Sequence, residues 1–122
     1  MSVQEIGKQL VAHCRAGTEA EALATLYAPD VVSVEAADAG NGREVQGIDA
    51  IRGKHEWWAE NFEVHGGSVS DPMPHGDDRF AVIFGIDATH KASGTRETMD
   101  EVGVYHVKDG KIVREEFFYP VG

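Results

Sequence analysis

The last third of the sequence constrains the fold most, because it predicts two long strands joined by a tight turn. The turn is centred on Lys108-Asp109-Gly110, and a three-residue hairpin loop closed by a left-handed glycine fits this composition. That loop predicts three cross-strand pairs: Tyr105 with Val113, Gly103 with Glu115, and Glu101 with Phe117. A two-residue turn would instead move the second strand by one residue and exchange its two faces.

In the preferred register, one face of this hairpin mixes acids and phenols with apolar residues. Its members are Met99, Glu101, Tyr105, Val107, Val113, Glu115, Phe117 and Tyr119. Such a mixture indicates the wall of a pocket more than a plain core. The sequence therefore predicts a fold together with the place of a site.

Length and composition fit a single domain, which we assign to residues 1–122. No apolar run reaches the roughly 20 residues that a membrane helix needs. The N-terminus also lacks the pattern of a signal peptide. The single Cys14 cannot form an internal disulfide, which fits a reducing cytosol. We therefore expect a cytoplasmic protein that makes no membrane contact.

The charge balance limits the classes of partner that the protein can bind. The chain has 21 acidic and 11 basic residues, a formal net charge of −10, and such a surface repels nucleic-acid backbones. Its histidines lack metal-motif spacing, and no phosphate loop or dinucleotide fingerprint is present. We expect no nucleic-acid partner, no metal and no cofactor.

Two helices are predicted near the N-terminus. Apolar residues at helical spacing predict a helix over Val3–Ala16, with Gly17 as its C-cap. Thr18 is the predicted N-cap of a second, short helix, and Glu21 completes a capping box with it. Pro29 is expected to stop this second helix.

A third helix is predicted to begin at Gly47 and to end at Gly66-Gly67. Its apolar face carries Ile51, His55, Trp58 and Phe62. Strands are predicted at Val31–Ala36 and at Arg79–Thr89. The second of these alternates cleanly, so we expect its large apolar residues to face the interior: Phe80, Val82, Phe84 and Ile86. This order of helices followed by antiparallel strands predicts an α+β fold.

Three segments in this order resemble the nuclear-transport-factor-2-like superfamily, and within it the SnoaL-like cyclases and ketosteroid isomerases. The segments are Leu26–Glu35, Gly47–Ile51 and Val104–Val113. The resemblance implies a cystatin-like cone, in which a curved antiparallel sheet wraps around three helices from the N-terminal half of the chain. The pocket of such a cone opens at one end.

The resemblance also implies roles for individual residues. Glu35 falls where the isomerases keep their catalytic aspartate base, and His55 falls where a tyrosine supports the oxyanion hole. Leu10 replaces the donor tyrosine, and Gly103 replaces the protonated aspartate. Two oxyanion donors are therefore missing, while a candidate base is kept.

We select Glu35 and His55 as candidate catalytic residues, because a carboxylate and an imidazole in one apolar pocket form a minimal acid–base pair. Glu101 and Glu115 could share a proton in a dry site, or both could lie at the wet rim of the cone. Cys14 is expected to be a buried, inert thiol. The candidate substrate-contacting residues are Leu10, Cys14, Trp58, Val82, Phe84, Glu101, Tyr105, Glu115, Phe117 and Tyr119.

Two functions remain open at this point. One is a small enzyme that transfers protons on an apolar carbonyl compound, as an isomerase, aldol cyclase or dehydratase. The other is a non-catalytic domain that binds a small apolar ligand or dimerises. We expect a homodimer through an apolar outer sheet face carrying Val102, Val104, Ile112 and Phe118. Trp57 is expected to cover the sheet edge or an oligomer contact.

Overall fold

A computed structural model of the protein describes residues 1–40 and 42–121, and it contains helices packed on a curved, open, mixed sheet. The helices are α1 (Val3–Ala16), α2 (Glu19–Thr25) and α3 (Ile48–Asn61). The strands are β1 (Tyr27–Val34), β2 (Glu44–Gln46), β3 (Phe62–Val69), β4 (Met73–His75), β5 (Arg79–His90), β6 (Thr95–Lys108) and β7 (Lys111–Phe118). The predicted α+β class is confirmed.

The first helix has the predicted bounds. Gly17 caps its C-terminus with a left-handed backbone, φ 73°, and donates its amide to the carbonyl of the last turn. A capping box is present at its N-terminus, where Ser2 and Glu5 satisfy each other's backbone amides. The box predicted at Thr18 is wrong, because the Thr18 side chain makes no cap bond and lies 2.7 Å from His13 Nδ1 instead.

The predicted stop at Pro29 is also wrong. Helix α2 ends at Thr25, and Pro29 lies inside β1, exposed to solvent. A proline lacks the N–H of a ladder donor and is tolerated at an irregular strand position. Here the pairing of β1 with β7 shifts register between Tyr27 and Val32, which accommodates it.

The third helix begins after Gly47 as predicted but ends at Asn61, before the predicted glycine pair. Gly66 and Gly67 lie within β3. A Cβ atom on Gly67 would overlap the carbonyl oxygen of Gly85 on the neighbouring strand. Gly67 therefore serves close strand contact rather than helix termination.

The strand order is β2-β1-β7-β6-β5-β3, with β4 pairing to β5. The sheet is mixed rather than purely antiparallel, because β1 runs parallel to β7 while the other pairs are antiparallel. This parallel contact brings the end of the first strand beside the last strand, which decides the geometry of the site described below.

The hairpin between β6 and β7 differs from the predicted register. Its turn has two residues, Asp109 and Gly110, both left-handed with φ of 52° and 75°, and Lys108 pairs with Lys111. A bulge then adds Val113 to β7, so Tyr105 pairs with Glu115 and Gly103 with Phe117. The three predicted pairs are wrong, but the two single-residue shifts add up to two, so Glu115 and Phe117 keep their predicted face.

The core lies between the helices and the concave face of the sheet. On β5, Phe80 and Val82 are fully buried, and Phe84 and Ile86 are partly buried, whereas Ile83 on the opposite face is 43% exposed. The predicted orientation of this strand is therefore confirmed. Ile112 is buried, which corrects its predicted position on the outer face. Among the described residues, no helix is long and apolar enough to cross a membrane.

Candidate active site

A buried carboxylate, Glu115, lies at the innermost end of a hydrogen-bond network on the concave face of the sheet. It is only 2% exposed. The hydroxyls of Tyr27 and Ser33, both buried, donate to its two oxygens at 2.7 Å each. Burial and the charge of Glu115 raise the pKa of Tyr27 well above its usual value, so this phenol remains a proton donor. The predicted wet-rim position for Glu115 is wrong.

Lys54 extends this network to the surface of the cone. Its ammonium donates to Ser33 Oγ and to Glu35 Oε2, both at 2.7 Å. The Tyr119 hydroxyl donates to Glu35 Oε1 at 3.1 Å. Burial and the nearby Glu35 charge raise the pKa of Tyr119. Glu35 is thus half-buried and held on both oxygens.

The local sequence explains why these side chains meet. Ser33 pairs directly with Glu115 across the parallel strands, and Glu35 follows two residues later, so its side chain points the same way. On α3, residues that are neighbours in sequence point about 100° apart. Lys54 therefore faces β1, whereas His55 is exposed to solvent. The expected pairing of His55 with Glu35 is wrong.

Glu101 provides a third carboxyl group on this face, after Glu115 and Glu35. It lies opposite Phe84 in the sheet and is partly buried. Burial raises the pKa of Glu101 to about 7, with smaller upward contributions from Glu35 and Glu115 and a downward one from Lys54. This side chain exchanges a proton near neutral pH, which suits an acid or a hydrogen-bond donor in proton transfer.

Aromatic side chains pack around the carboxyl groups. Tyr105 is 3% exposed, stacks on Phe80 with ring centroids 5.0 Å apart, and meets the edge of Phe117. Burial raises its pKa well above the usual value. A Cβ on Gly103 would lie 2.9 Å from this ring, so the missing side chain makes room for it. The Lys54 ammonium lies 5.5 Å from the centre of the Phe117 ring.

The remaining predicted contacts divide between the core and an open groove. Leu10 and Val82 are buried core residues rather than accessible surface. Cys14 is partly buried, and burial raises its pKa to about 12, which makes it a poor nucleophile at neutral pH. Phe84 is partly buried beside Glu101.

Trp58 belongs to the groove, which has a volume of about 400 Å³. It stacks on Phe62 with ring centroids 4.0 Å apart, and Ile86 and Met99 form the facing wall. Met99 precedes Glu101 by two residues on the same strand face, so the groove leads toward that carboxyl. Trp57 points away and is half exposed.

Three members of the network were not predicted from the sequence: Tyr27, Ser33 and Lys54. The period of two along a strand places Ser33 and Glu35 on one face, but only the parallel pairing with β7 brings Glu115 to them. Within the described part of the chain, no three His, Cys, Asp or Glu side chains are grouped as they would be around a metal ion.

The fold and this site define a small α+β protein with a hydrogen-bonded acid cluster on a concave sheet. The chain belongs to the SnoaL-like domain family, whose sequence model matches residues 1–119. No curated protein matches the sequence.

Solved structures carry the same fold. A protein from Mesorhizobium loti, described as a candidate SnoaL-like polyketide cyclase and also as a carbohydrate phosphatase, is 45% identical, with a TM-score of 0.91, and the match covers 98% of this chain and 100% of that one. An NTF2-like protein from Burkholderia thailandensis is 19% identical, with a TM-score of 0.85 and 98% and 92% coverage. A protein of unknown function with a cystatin-like fold from Xanthomonas campestris is 20% identical, with a TM-score of 0.80 and 99% and 92% coverage.

Proposed function

We propose that this protein is an acid–base enzyme that moves a proton on a neutral, apolar carbonyl compound. One observation carries the proposal: two carboxyl groups share the concave face but have different surroundings. Glu35 is paired with an ammonium and a phenol, whereas Glu101 is partly buried with a pKa of about 7. Two carboxyl groups with separated environments can divide the roles of base and acid.

The proposed reaction begins when the Glu35 carboxylate takes a proton from the carbon next to the substrate carbonyl. The electron pair of that C–H bond forms a C=C bond, while the carbonyl π pair moves to the carbonyl oxygen. The resulting enolate oxygen accepts a hydrogen bond or the proton from Glu101. Return of the proton from Glu35 to another carbon gives an isomer. In an aldol cyclisation, the enolate carbon instead attacks a second carbonyl of the same substrate, and the alkoxide that forms takes up the proton held by Glu35.

Glu101 would also replace the oxyanion donors that this chain lacks. The position matched to the isomerase aspartate is Gly103, and the position matched to the donor tyrosine is Leu10, which is buried. Glu101 lies two residues before Gly103 on the same strand face. His55, which is exposed, has no part in this proposal.

Charge and shape support a neutral substrate with an apolar body. The concave face has the carboxyl groups of Glu35, Glu101 and Glu115 and the ammonium of Lys54. The whole chain has a net charge of −10, so an anionic substrate would be repelled. The groove beside Trp58 and Met99 would hold the apolar body while the carbonyl lies at Glu101.

Solvent deuterium exchange tests the reaction class without knowledge of the natural substrate. A panel of neutral cyclic ketones and diketones is incubated in D₂O, and exchange at the carbon next to the carbonyl is followed by mass spectrometry. Glu35→Gln should abolish the enzyme-dependent exchange, because the amide keeps the shape but cannot take a proton. Loss of a positioned base typically costs about 10²–10⁴ in rate.

Glu60→Gln is the matched control, since Glu60 is an exposed acid on α3 away from the network. It should exchange ketones at the rate of the unaltered protein. Undiminished exchange in Glu35→Gln would eliminate Glu35 as the base. Absence of exchange across the whole panel in the unaltered protein would favour the non-catalytic, ligand-binding alternative.

A further inference from the structure

Lys54 supplies the positive charge of the described network, and its surroundings hold it unusually firmly for a lysine. A lysine side chain is flexible, and fixing it costs rotamer entropy. Here the ammonium has two partners at 2.7 Å, and it also lies near the ring of Phe117. Only 24% of its side chain is exposed.

Ser33 determines which groups donate and which accept hydrogen bonds in this arrangement. A serine hydroxyl has one proton to donate, and Ser33 donates it to the buried Glu115 carboxylate. The lone pairs of Ser33 Oγ therefore remain for the Lys54 ammonium, which donates to them. Tyr27 occupies the other Glu115 oxygen, so rotation of this carboxylate would break a second bond.

We propose that Lys54 is the positioning residue of this site: the buried Glu115–Ser33 pair fixes its ammonium, which in turn holds the Glu35 carboxyl group in place. Among the described residues, Lys54 donates to Ser33 and Glu35 rather than to Glu101, which leaves Glu101 as the group that carries the proton. The catalytic consequence rests on the function proposed above, but the fixation of Lys54 is a property of the folded protein alone.

The geometry explains the division of roles between the two acids. Glu35 has an ammonium on one oxygen and a phenol on the other. The charged groups that shift the pKa of Glu101 are Glu35 after β1, Lys54 on α3 and Glu115 on β7. The phenols near it are Tyr105 on β6 and Tyr119 after β7, and the charge of Glu101 raises the pKa of each. Lys54 is the cation in this set, and its charge lowers the pKa of Glu101, so its position influences the ionisation of that acid.

The test follows the titration of Glu101 by NMR of the side-chain carboxyl carbons, with the signal assigned by its loss in Glu101→Gln. Lys54→Met keeps most of the stem but removes the charge, and Lys54→Arg keeps the charge. Ser33→Ala cuts the link to Glu115 without changing any charge. Lys8→Met, at an exposed position of α1, is the matched control.

Lys54→Met should shift the Glu101 midpoint to higher pH, because the lysine charge lowers the pKa of that carboxyl. Lys54→Arg should largely restore the midpoint, and Lys8→Met should leave it unchanged. Ser33→Ala should produce a smaller upward shift, since a released ammonium spends less time near the acids. An unchanged midpoint in Lys54→Met would overturn the role of Lys54.

An unchanged midpoint in a folded Ser33→Ala protein would overturn the role of the Glu115–Ser33 pair. If Ser33→Ala does not fold, Ser33→Thr is the second variant, because it keeps the hydroxyl. The Lys54 variants still decide the main claim, which is the role of Lys54. None of these measurements needs a substrate. Failure of the ketone exchange assay would therefore remove the proposed reaction and leave this inference intact.

Where exchange is found, kinetics separate positioning from packing. Lys54→Met should lower kcat by about 100-fold with little change in KM, and it should move the pH profile with the Glu101 midpoint. Lys54→Arg should recover most of the rate. Equal losses in both variants, together with an unmoved pH profile, would show a structural role and contradict the proposal.

Discussion

Glu101 connects the ionisation of one residue to the stability of the molecule. Its pKa rises on folding from a usual value of 4.5 to about 7, chiefly because burial disfavours the charged form. Between these two values the folded state binds more protons than the unfolded state. The free energy of unfolding therefore falls as the pH rises through this window and stays lower above it.

Glu101→Gln should remove this pH-dependent cost. The amide stays neutral, so the variant should gain stability relative to the unaltered protein at pH 8, on the order of 2 kcal/mol, and show a smaller difference at pH 5. Urea unfolding at the two pH values measures the effect, with Glu60→Gln as the control. A gain of equal size at both pH values would contradict the assigned cause.

At the residue scale, the sequence predicted the candidate acids better than their partners. Glu101, Glu115 and Tyr119 share one side, as strand alternation indicated, and Glu35 joins them at the position that the family resemblance implied. The predicted helical partner of Glu35 was His55, which lies one residue beyond the actual partner, Lys54, on α3. Residues 51, 54 and 58 form the inward stripe, and apolar spacing alone did not favour a lysine in it.

At the element scale, the hairpin shows how two local features can move the register of a strand by two residues and still keep its faces. The turn of two left-handed residues and the bulge at Val113 each shift the register of β7 by one position. Turn composition admitted both loop lengths, and bulges have no strong sequence signal. The predicted helix end at Gly66 and Gly67 was wrong for a similar reason. The backbone contact of Gly67 is with Gly85 on β5, which is distant in sequence.

Two glycines that differ in surroundings provide a prediction about packing. Gly103→Ala should destabilise the protein by about 1–3 kcal/mol, because the added methyl group meets the Tyr105 ring at 2.9 Å. Gly53→Ala lies in the exposed interior of α3 with nothing within 4 Å, so it should stabilise by about 0.5–1 kcal/mol.

Thermal unfolding of the two alanine variants compares the same chemical change at two positions. Gly103→Ala should also displace Tyr105, which near-ultraviolet circular dichroism would detect. A Gly103→Ala protein as stable as the unaltered one would mean that the Tyr105 ring moves aside at no cost. The ring would then not be tightly packed against position 103, contrary to the description given above.

At the scale of the whole molecule, the helices pack on the concave face of the sheet, and apolar residues of the convex face are exposed to solvent. A row of apolar residues crosses three strands there: Ile83 pairs with Val102, and Val102 pairs with Phe118. Ile83 is 43% exposed and Phe118 is 53% exposed. Ala81 and Val104 form the next row, so the apolar surface is continuous. Contiguous apolar surface of this kind is typical of a protein–protein contact.

We predict that two copies of the chain pair through this convex face. Light scattering at micromolar concentration should then give twice the chain mass of 13.2 kDa. Phe118→Glu should yield a monomer, because two symmetry-related faces would each bring a carboxylate into an apolar contact. Trp57→Glu is the control at a comparably exposed aromatic residue on α3, and it should remain a dimer. Monomeric mass in the unaltered protein would refute the pairing, and a monomer caused only by Trp57→Glu would move the interface to the helical side.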